Sequence, residues 1–217
     1  MKKGMLFELA AAVKERMERW REWRRPDPKP FFSYQNLPDS ERLRYELMTW
    51  DNCQIMLHLF ENDPNPFVEK SLKSRPEFDN YLVDVLDYRY YSPKHGSCDW
   101  FLSLADGTYV GVLHLYDLNK EIFDGKHPAP FMGYAITEAH RGKGFAEEAA
   151  RHLLKHIPLI FRRYEVEAEP KKENEASRKL LTKLGFVEQQ DRREGDTSVW
   201  YKKLIDGDIP EATWEED

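Results

Sequence analysis

An apolar run, Phe131, Met132, Gly133, Tyr134, Ala135 and Ile136, is followed closely by Arg141, Gly142, Lys143, Gly144, Phe145 and Ala146. The second stretch opens an amphipathic helix predicted over 146–157. A strand, a glycine-bearing turn and a helix start constrain this chain more than any other feature. They demand a sheet with a helix laid upon it, and they make an anion site. The glycines let the backbone come close to a ligand. The first N–H groups of the helix have no partner within it, and the helix dipole favours negative charge there. Arg141 and Lys143 can add charge or sit in solvent. Gly144 is where a side chain would most obstruct close approach. Because such turns also occur in folds that bind no phosphate, the downstream sequence matters. There Asn174, Glu175, Ala176 and Ser177 open another helix, which stops at Leu184, Gly185 and Phe186. Asn174 suits the N-cap and Gly185 the C-terminal stop.

Apolar and polar residues alternate over 42–48, and strands are predicted there and over 98–104, 109–116, 131–136, 164–169, 186–190 and 198–203. Ala105, Asp106 and Gly107 make a hairpin of the second and third. Helices are predicted over 51–61 and 146–157, as one or two over 67–88, and from Asn174 to the stop at Gly185. The order gives an α/β (α+β) fold, a mixed sheet with helices on its faces.

The chain has 217 residues, enough for one sizeable domain and an extension. Leu6, Leu9, Val13, Met17 and Trp20 recur at helical spacing before Pro26, Pro28 and Pro30. We read 1–30 as an amphipathic helix and proline-rich linker, 31–205 as the main domain and 206–217 as an acidic tail. The apolar stripe of the first helix must pack on the main domain, on a partner or in a homodimer. A net charge of −6 argues against nucleic acid as a partner. No apolar run reaches membrane-spanning length, so we expect a cytoplasmic protein without a membrane partner. Cys53 and Cys98 are expected as buried thiols. His152 and His156 share a helix face without carboxylate or cysteine support, so no metal is expected.

The two glycine-bearing motifs, in this order, resemble the GCN5-related N-acetyltransferases (GNAT). That family's pattern of Arg or Gln, two residues, Gly, one residue, then Gly or Ala is met by Arg141, Gly144 and Ala146. Gly133-Tyr134 before it, and Asn174, Ser177 and Leu184-Gly185-Phe186 after it, are similar to the Rim-type branch that acetylates N-terminal amines of ribosomal proteins. The resemblance covers roughly 41–203. It implies a mostly antiparallel, splayed sheet and acetyl-CoA as acyl donor, with an amine acceptor on a protein N-terminus or a small molecule. It further implies that Gly142, Lys143, Gly144, Phe145 and Ala146, with Arg141, meet the pyrophosphate. Tyr134, Ala135 and Ile136 would present strand backbone to pantetheine, with Asn174 as a polar partner. Tyr134 and Ser177 are the candidate catalytic residues, at the oxyanion and at the leaving sulfur; Ser177 reads equally as a first-turn serine.

One departure matters. Phe131 stands where these relatives place a glutamate that helps to deprotonate the amine. Substitutes are Glu167, Glu169, His114, Tyr116 and His127, each of which also reads as an ordinary sheet or loop residue. An α-amine of pKa about 7.7–8.0 is roughly a tenth neutral at pH 7, whereas a lysine amine near 10.4 is neutral at well under ~0.1%. A site without a strong base therefore favours a low-pKa acceptor. The alternatives are a non-catalytic acyl-CoA-binding module, which intact donor motifs without a base would suit, and an interaction protein that docks through its Trp-rich first helix.

Overall fold

The structure, a computed structural model, describes residues 37–49, 51–74, 77–78, 97–118, 129–161, 163–189 and 197–205. The predicted N-terminal helix and linker, most of the helical stretch 67–88, most of the loop 117–130 with His127, and the acidic tail lie outside the described residues.

The described elements are β1 (Arg44–Leu47), α1 (Gln54–Phe60), a 3-10 turn (Lys70–Leu72), β2 (Ser97–Ser103), β3 (Tyr109–Tyr116), β4 (Phe131–Ile136), α2 (Phe145–Phe161), β5 (Glu165–Ala168), α3 (Glu175–Lys183), β6 (Val187–Glu188) and β7 (Tyr201–Leu204). The strands form a seven-stranded sheet in the order β1-β2-β3-β4-β5-β7-β6. All neighbours are antiparallel except β4 and β5, which run parallel. This is the mixed, mostly antiparallel open sheet expected.

The β4–β5 junction determines the site. Only Phe131 and Glu167 pair there, supported by the Glu167 N–H donating to Pro130 O at 2.9 Å. Beyond that point the two strands part and the sheet is splayed.

Side-chain alternation divides the sheet into two faces. Cys98, Trp100, Leu102, Leu113, Leu115, Met132 and Ile136 share one face and pack with Phe145, Ala149, Ala150, Leu153, Leu154 and Ile157 of α2. On the other face Phe101 and Val112 are buried with Met56, Leu57 and Phe60 of α1. Along that second face toward the start of β2, the cross-strand partners change to Asp99 with His114 and Ser97 with Tyr116. The apolar half is covered by α1; the polar half lines a cavity.

Several boundaries differ from expectation for local reasons. Residues 51–53 form a turn, in which Asn52 Oδ1 accepts from Thr49 N at 2.7 Å, so α1 begins only at Gln54. Helix α2 starts at Phe145 and runs to Phe161 through Pro158. Proline removes one helical N–H and ordinarily ends a helix. Here Phe161 is buried and meets the Trp100 ring edge-on at 6.3 Å, so tertiary packing carries the last turn. Ser198 forms a bridge to Lys171, and β7 begins only at Tyr201. Helix α3 ends as expected: Gly185 has φ +82°, and Phe186 N donates to Leu181 O at 3.0 Å. Cys53 and Cys98 are both buried. No described helix is long and apolar enough to cross a membrane.

Candidate active site

The Arg141–Ala146 stretch leaves β4 through a short 3-10 turn (Glu138–His140) and enters α2. Gly142 and Gly144 both sit in the left-handed region, at φ +74° and +82°. That conformation, rather than space, requires glycine at Gly142, where an added Cβ would meet nothing within 4 Å. The Gly144 carbonyl accepts the first helical bond, from Glu148 N at 3.0 Å. The N–H groups of the turn that follows therefore point out of the helix end without an intrahelical acceptor. Gly142, Lys143 and Gly144 are exposed.

A second segment fastens this loop. Arg42 donates from Nη1 to Lys143 O at 3.0 Å and from Nε to Glu148 Oε2 at 2.6 Å, and lies 4.6 Å over the Phe145 ring. Its own N–H and the Ser40 hydroxyl donate to Glu148 Oε1 at 2.8 and 2.7 Å. Burial alone would raise the Glu148 carboxyl, but these bonds outweigh it and hold the group below the usual carboxylate range. Glu147 is likewise held low by Lys183 and Arg151. Both acids of the first turn are thus matched to cations, and the helix end keeps its preference for an anion. Arg141 turns inward: its guanidinium pairs with the buried Asp63 and donates from Nε to Ile136 O at 2.9 Å. The side chain braces the turn, and its backbone remains in the loop.

A cavity of about 680 Å³ passes through the splay. On the α2–α3 side it is lined by Tyr134, Asn174, Ser177 and Leu181, and along the gap by Gly133, Ala135, Ala168 and Pro170. Asn174 caps α3, its Oδ1 accepting from Ser177 N at 3.1 Å. The Tyr134 and Ser177 hydroxyls are 2.9 Å apart, so β4 and α3 meet through a hydrogen bond. Burial pushes the Tyr134 phenol up to about 12, against a smaller opposing effect of Ser177. Tyr134 is therefore a protonated donor at neutral pH. Of the sequence-selected residues, Tyr134, Ala135, Asn174 and Ser177 share this cavity; Ile136 is buried in the core, and the Arg141–Ala146 loop lies past the end of β4.

The other end of the cavity is acidic. Glu69, Asp99, Asp117 and Glu169 line it together with Ser97, His114 and Tyr116. Partial burial and the carboxylates of Glu169, Asp117, Glu69 and Glu167 all push the Tyr116 hydroxyl above the ordinary phenol range. His114 Nδ1 is paired with Oδ1 of the buried Asp99, whose Oδ2 accepts from the Ser97 hydroxyl at 3.5 Å. Phe131 lies between the rings of Tyr116 and Trp200, at 5.3 and 5.7 Å, and is buried in this stack. Sequence reasoning selected His114, Tyr116 and Glu169 individually but missed Asp99, Glu69, Arg42 and Asp63. No local signal marked Asp99, because an irregularity in the pairing of β2 with β3 sets it opposite His114.

His152 and His156 make other contacts. Their rings lie 4.3 Å apart, His152 Nε2 is 2.6 Å from Pro38 O, and His152 stacks on Tyr45. Among the described residues no group of three or more His, Cys, Asp and Glu side chains is placed to hold a metal ion.

The acetyltransferase (GNAT) domain family matches residues 21–187. The chain belongs to the GNAT acetyltransferase family. GNAT enzymes of this kind are acetyl-CoA-dependent N-acetyltransferases, and the splayed sheet with its glycine turn is the corresponding architecture. Among curated proteins the chain is similar to the spermidine N(1)-acetyltransferase of Escherichia coli K12, 26% identical over 148 residues, 68% of this chain and 69% of that protein. In fold it is similar to an acetyltransferase from Agrobacterium tumefaciens C58, at TM-score 0.60 and 17% identity, covering 80% of this chain and 96% of the other. It is also similar in fold to a dodecameric spermidine N-acetyltransferase from Vibrio cholerae, at TM-score 0.56 and 16% identity, covering 76% and 95%.

Proposed function

We propose that this GNAT enzyme transfers the acetyl group of acetyl-CoA to a small amine carrying more than one positive charge. The observation that carries this reading is the acidic end of the cavity. Glu69, Asp117 and Glu169 come from three separate segments and converge on one mouth, with the buried Asp99 behind them. Carboxylates so placed attract a polycation and hold its remote ammonium groups while one amine reaches the splay. The similarity to spermidine N-acetyltransferases supports the same acceptor class. The similarity to a dodecameric enzyme supports self-association.

On the donor side, the N–H groups of Gly142 to Ala146 take the pyrophosphate, as their left-handed glycines and free helix end suit. Tyr134, Ala135 and Ile136 offer strand backbone to the amide-bearing arm, and Asn174 closes the slot. The hydrogen-bonded Ser177 and Tyr134 hydroxyls supply a proton toward the leaving sulfur. That demand is mild, because a thiol has a pKa of about 8.5. The expected preference for a low-pKa acceptor rested on Phe131 standing where a base was sought. His114 in the cavity loosens that restriction, and a strongly basic amine becomes a workable acceptor.

Thiol release from acetyl-CoA should be measured with polyamines, aminoglycosides, lysine peptides and peptides with free N-termini. Polyamines should be turned over fastest, with a KM that rises with salt. A preference for peptide N-termini would replace this acceptor with the one that Gly133-Tyr134 and the Asn174–Ser177 motif resemble. Acetyl-CoA binding without turnover of any amine would favour the non-catalytic binding module.

A further inference from the structure

We infer that His114, oriented by Asp99, is the general base of this acetyl transfer, replacing from β3 the function that Phe131 cannot perform on β4. The inference rests on the N-acetyltransferase activity and not on which amine is accepted.

The geometry is specific. Asp99 and His114 are cross-strand partners on β2 and β3, and Gly133 is the partner of His114 on β4. All three project from one sheet face, at the cavity. Asp99 is buried, and an ionised carboxylate only accepts hydrogen bonds. Its bond to Nδ1 therefore fixes the proton on Nδ1 and leaves the lone pair on Nε2. A carboxylate behind an imidazole also stabilises the imidazolium once it forms. The ring lies against the β4 backbone at Gly133, where a Cβ would lie in ordinary contact, 3.7 Å from His114 Cδ2, the atom next to Nε2. The imidazole thus lies beside the strand segment Gly133–Ala135, where the splay admits the thioester. Phe131, two positions earlier on β4, is buried between Tyr116 and Trp200 and presents no proton acceptor.

The proton account balances. Nε2 of His114, directly or through one water, takes a proton from the acceptor ammonium. The neutral nitrogen attacks the thioester carbon, the C–S bond breaks, and the sulfur receives a proton through Ser177 and Tyr134. The second proton on nitrogen restores that hydroxyl pair, and His114 releases its own to solvent. Asp99 stays ionised throughout and is a positioning residue. The other titratable and charged groups around this cavity are Tyr116 and Asp117 at the end of β3, Glu69 beside the 3-10 turn, the buried Glu167 on β5, and Glu169 and Lys171 beyond β5.

The test compares wild type with His114→Asn and His114→Gln, checked for folding by circular dichroism and for acetyl-CoA affinity by calorimetry. Removal of a general base should lower kcat for a cationic amine by about 10²–10³-fold and abolish the rise of kcat/KM that imidazole deprotonation produces. Acetyl-CoA affinity should not move. With hydroxylamine, already neutral at the assay pH, the loss should be much smaller. Unchanged kcat and pH profile in both folded variants would overturn the proposal. Should wild type acetylate no cationic amine, the acceptor reading alone fails; the base is then judged on slow acetyl-CoA hydrolysis, which the same variants must depress. An independent readout needs no turnover. Nitrogen NMR of the neutral His114 ring should show the proton on Nδ1, and Asp99→Asn should disturb that tautomer. A proton on Nε2 in wild type would overturn the assignment.

Discussion

The two halves of the cavity are built by different means. The half proposed for the donor is made of backbone, a strand edge freed by the splay and a helix start capped by Asn174, with the loop of two left-handed glycines past the end of β4. The half proposed for the acceptor is made of side chains, Asp99, His114 and Tyr116 from one sheet face, with Glu69, Asp117 and Glu169 brought in from surrounding segments. A backbone site depends on a few contiguous residues that must be glycine or a cap, so it leaves a motif. A side-chain site depends on which residues the register places together, and it leaves almost none. The halves meet on β4, whose Gly133, Tyr134 and Ala135 line both.

The comparison breaks first if β4 is moved. An added Cβ at Gly111 would lie 2.3 Å from Ala135 O and 2.8 Å from Ile136 Cδ1. Gly111→Ala should destabilise the protein by about 1–3 kcal/mol in chemical denaturation. The KM values for donor and acceptor should rise together, because β4 serves both halves. A rise in only one would mean that the halves are more independent than the shared strand implies.

Gly144→Ala should act on the donor half alone. It places a side chain in a left-handed conformation, costing about 1–2 kcal/mol, with its Cβ 3.4 Å from Arg42 Nη2. That cost should appear as lost stability in chemical denaturation, and acetyl-CoA affinity measured by calorimetry should fall, by up to about thirty-fold, to the extent that the loop of the free variant leaves the left-handed conformation, while the acceptor KM holds. Neutralising Glu69 and Glu169 as Gln should do the reverse. Both are exposed, so each should be worth about 0.2–1 kcal/mol in acceptor KM, and the effect should shrink as salt is added. An equal loss at high and low salt would argue against charge as the cause.

Ser177→Ala removes the partner of Tyr134 and should lower kcat by less than about tenfold, because a thiolate of pKa about 8.5 leaves readily. A much larger loss in a rapid-quench experiment would make proton donation to sulfur a controlling step. A comparably small effect, on stability rather than on kinetics, is expected for Glu148→Gln. The folded-state pKa of Glu148 is depressed, so its contribution is present above the unfolded value, near 4.3, and is lost as pH falls through the lower folded value. Wild type should exceed the variant by roughly 0.5–1 kcal/mol at pH 7, and the difference should vanish in acid. Denaturation curves at both pH values check this.

Much of the frame was legible in the chain. The seven strands, the hairpin at Asp106–Gly107, the helix predicted from Ala146 and found from Phe145, and the α3 cap and stop each follow from periodicity or from one residue with a backbone role. What escaped did so for identifiable reasons. Pro158 inside α2 could not be foreseen, since the docking of Phe161 on Trp100 in the core supports the last turn. Arg141 was expected toward the ligand, yet its guanidinium is tied to Asp63, a residue far away in sequence and buried by folding. The Asp99–His114 pair was hidden by a register shift. Near the hairpin turn Ser103 pairs with Tyr109, and that register continued unbroken would place Asp99 opposite Leu113. The irregularity between Leu102 and Ser103 slips the pairing by one residue and brings Asp99 opposite His114. A one-residue slip changes which side chains share a face, and no local pattern announces it.

By itself, then, the sequence determined the glycine turn, the α3 cap and the family, because left-handed glycines, caps and strand periodicity are properties of neighbouring residues. Tertiary structure alone assembled the site proposed for the acceptor. The acidic mouth, the histidine backed by a buried carboxylate and the aromatic stack that buries Phe131 each arise from segments distant in the chain. Side-chain chemistry becomes a site only when pairing and packing set those segments within reach of one another.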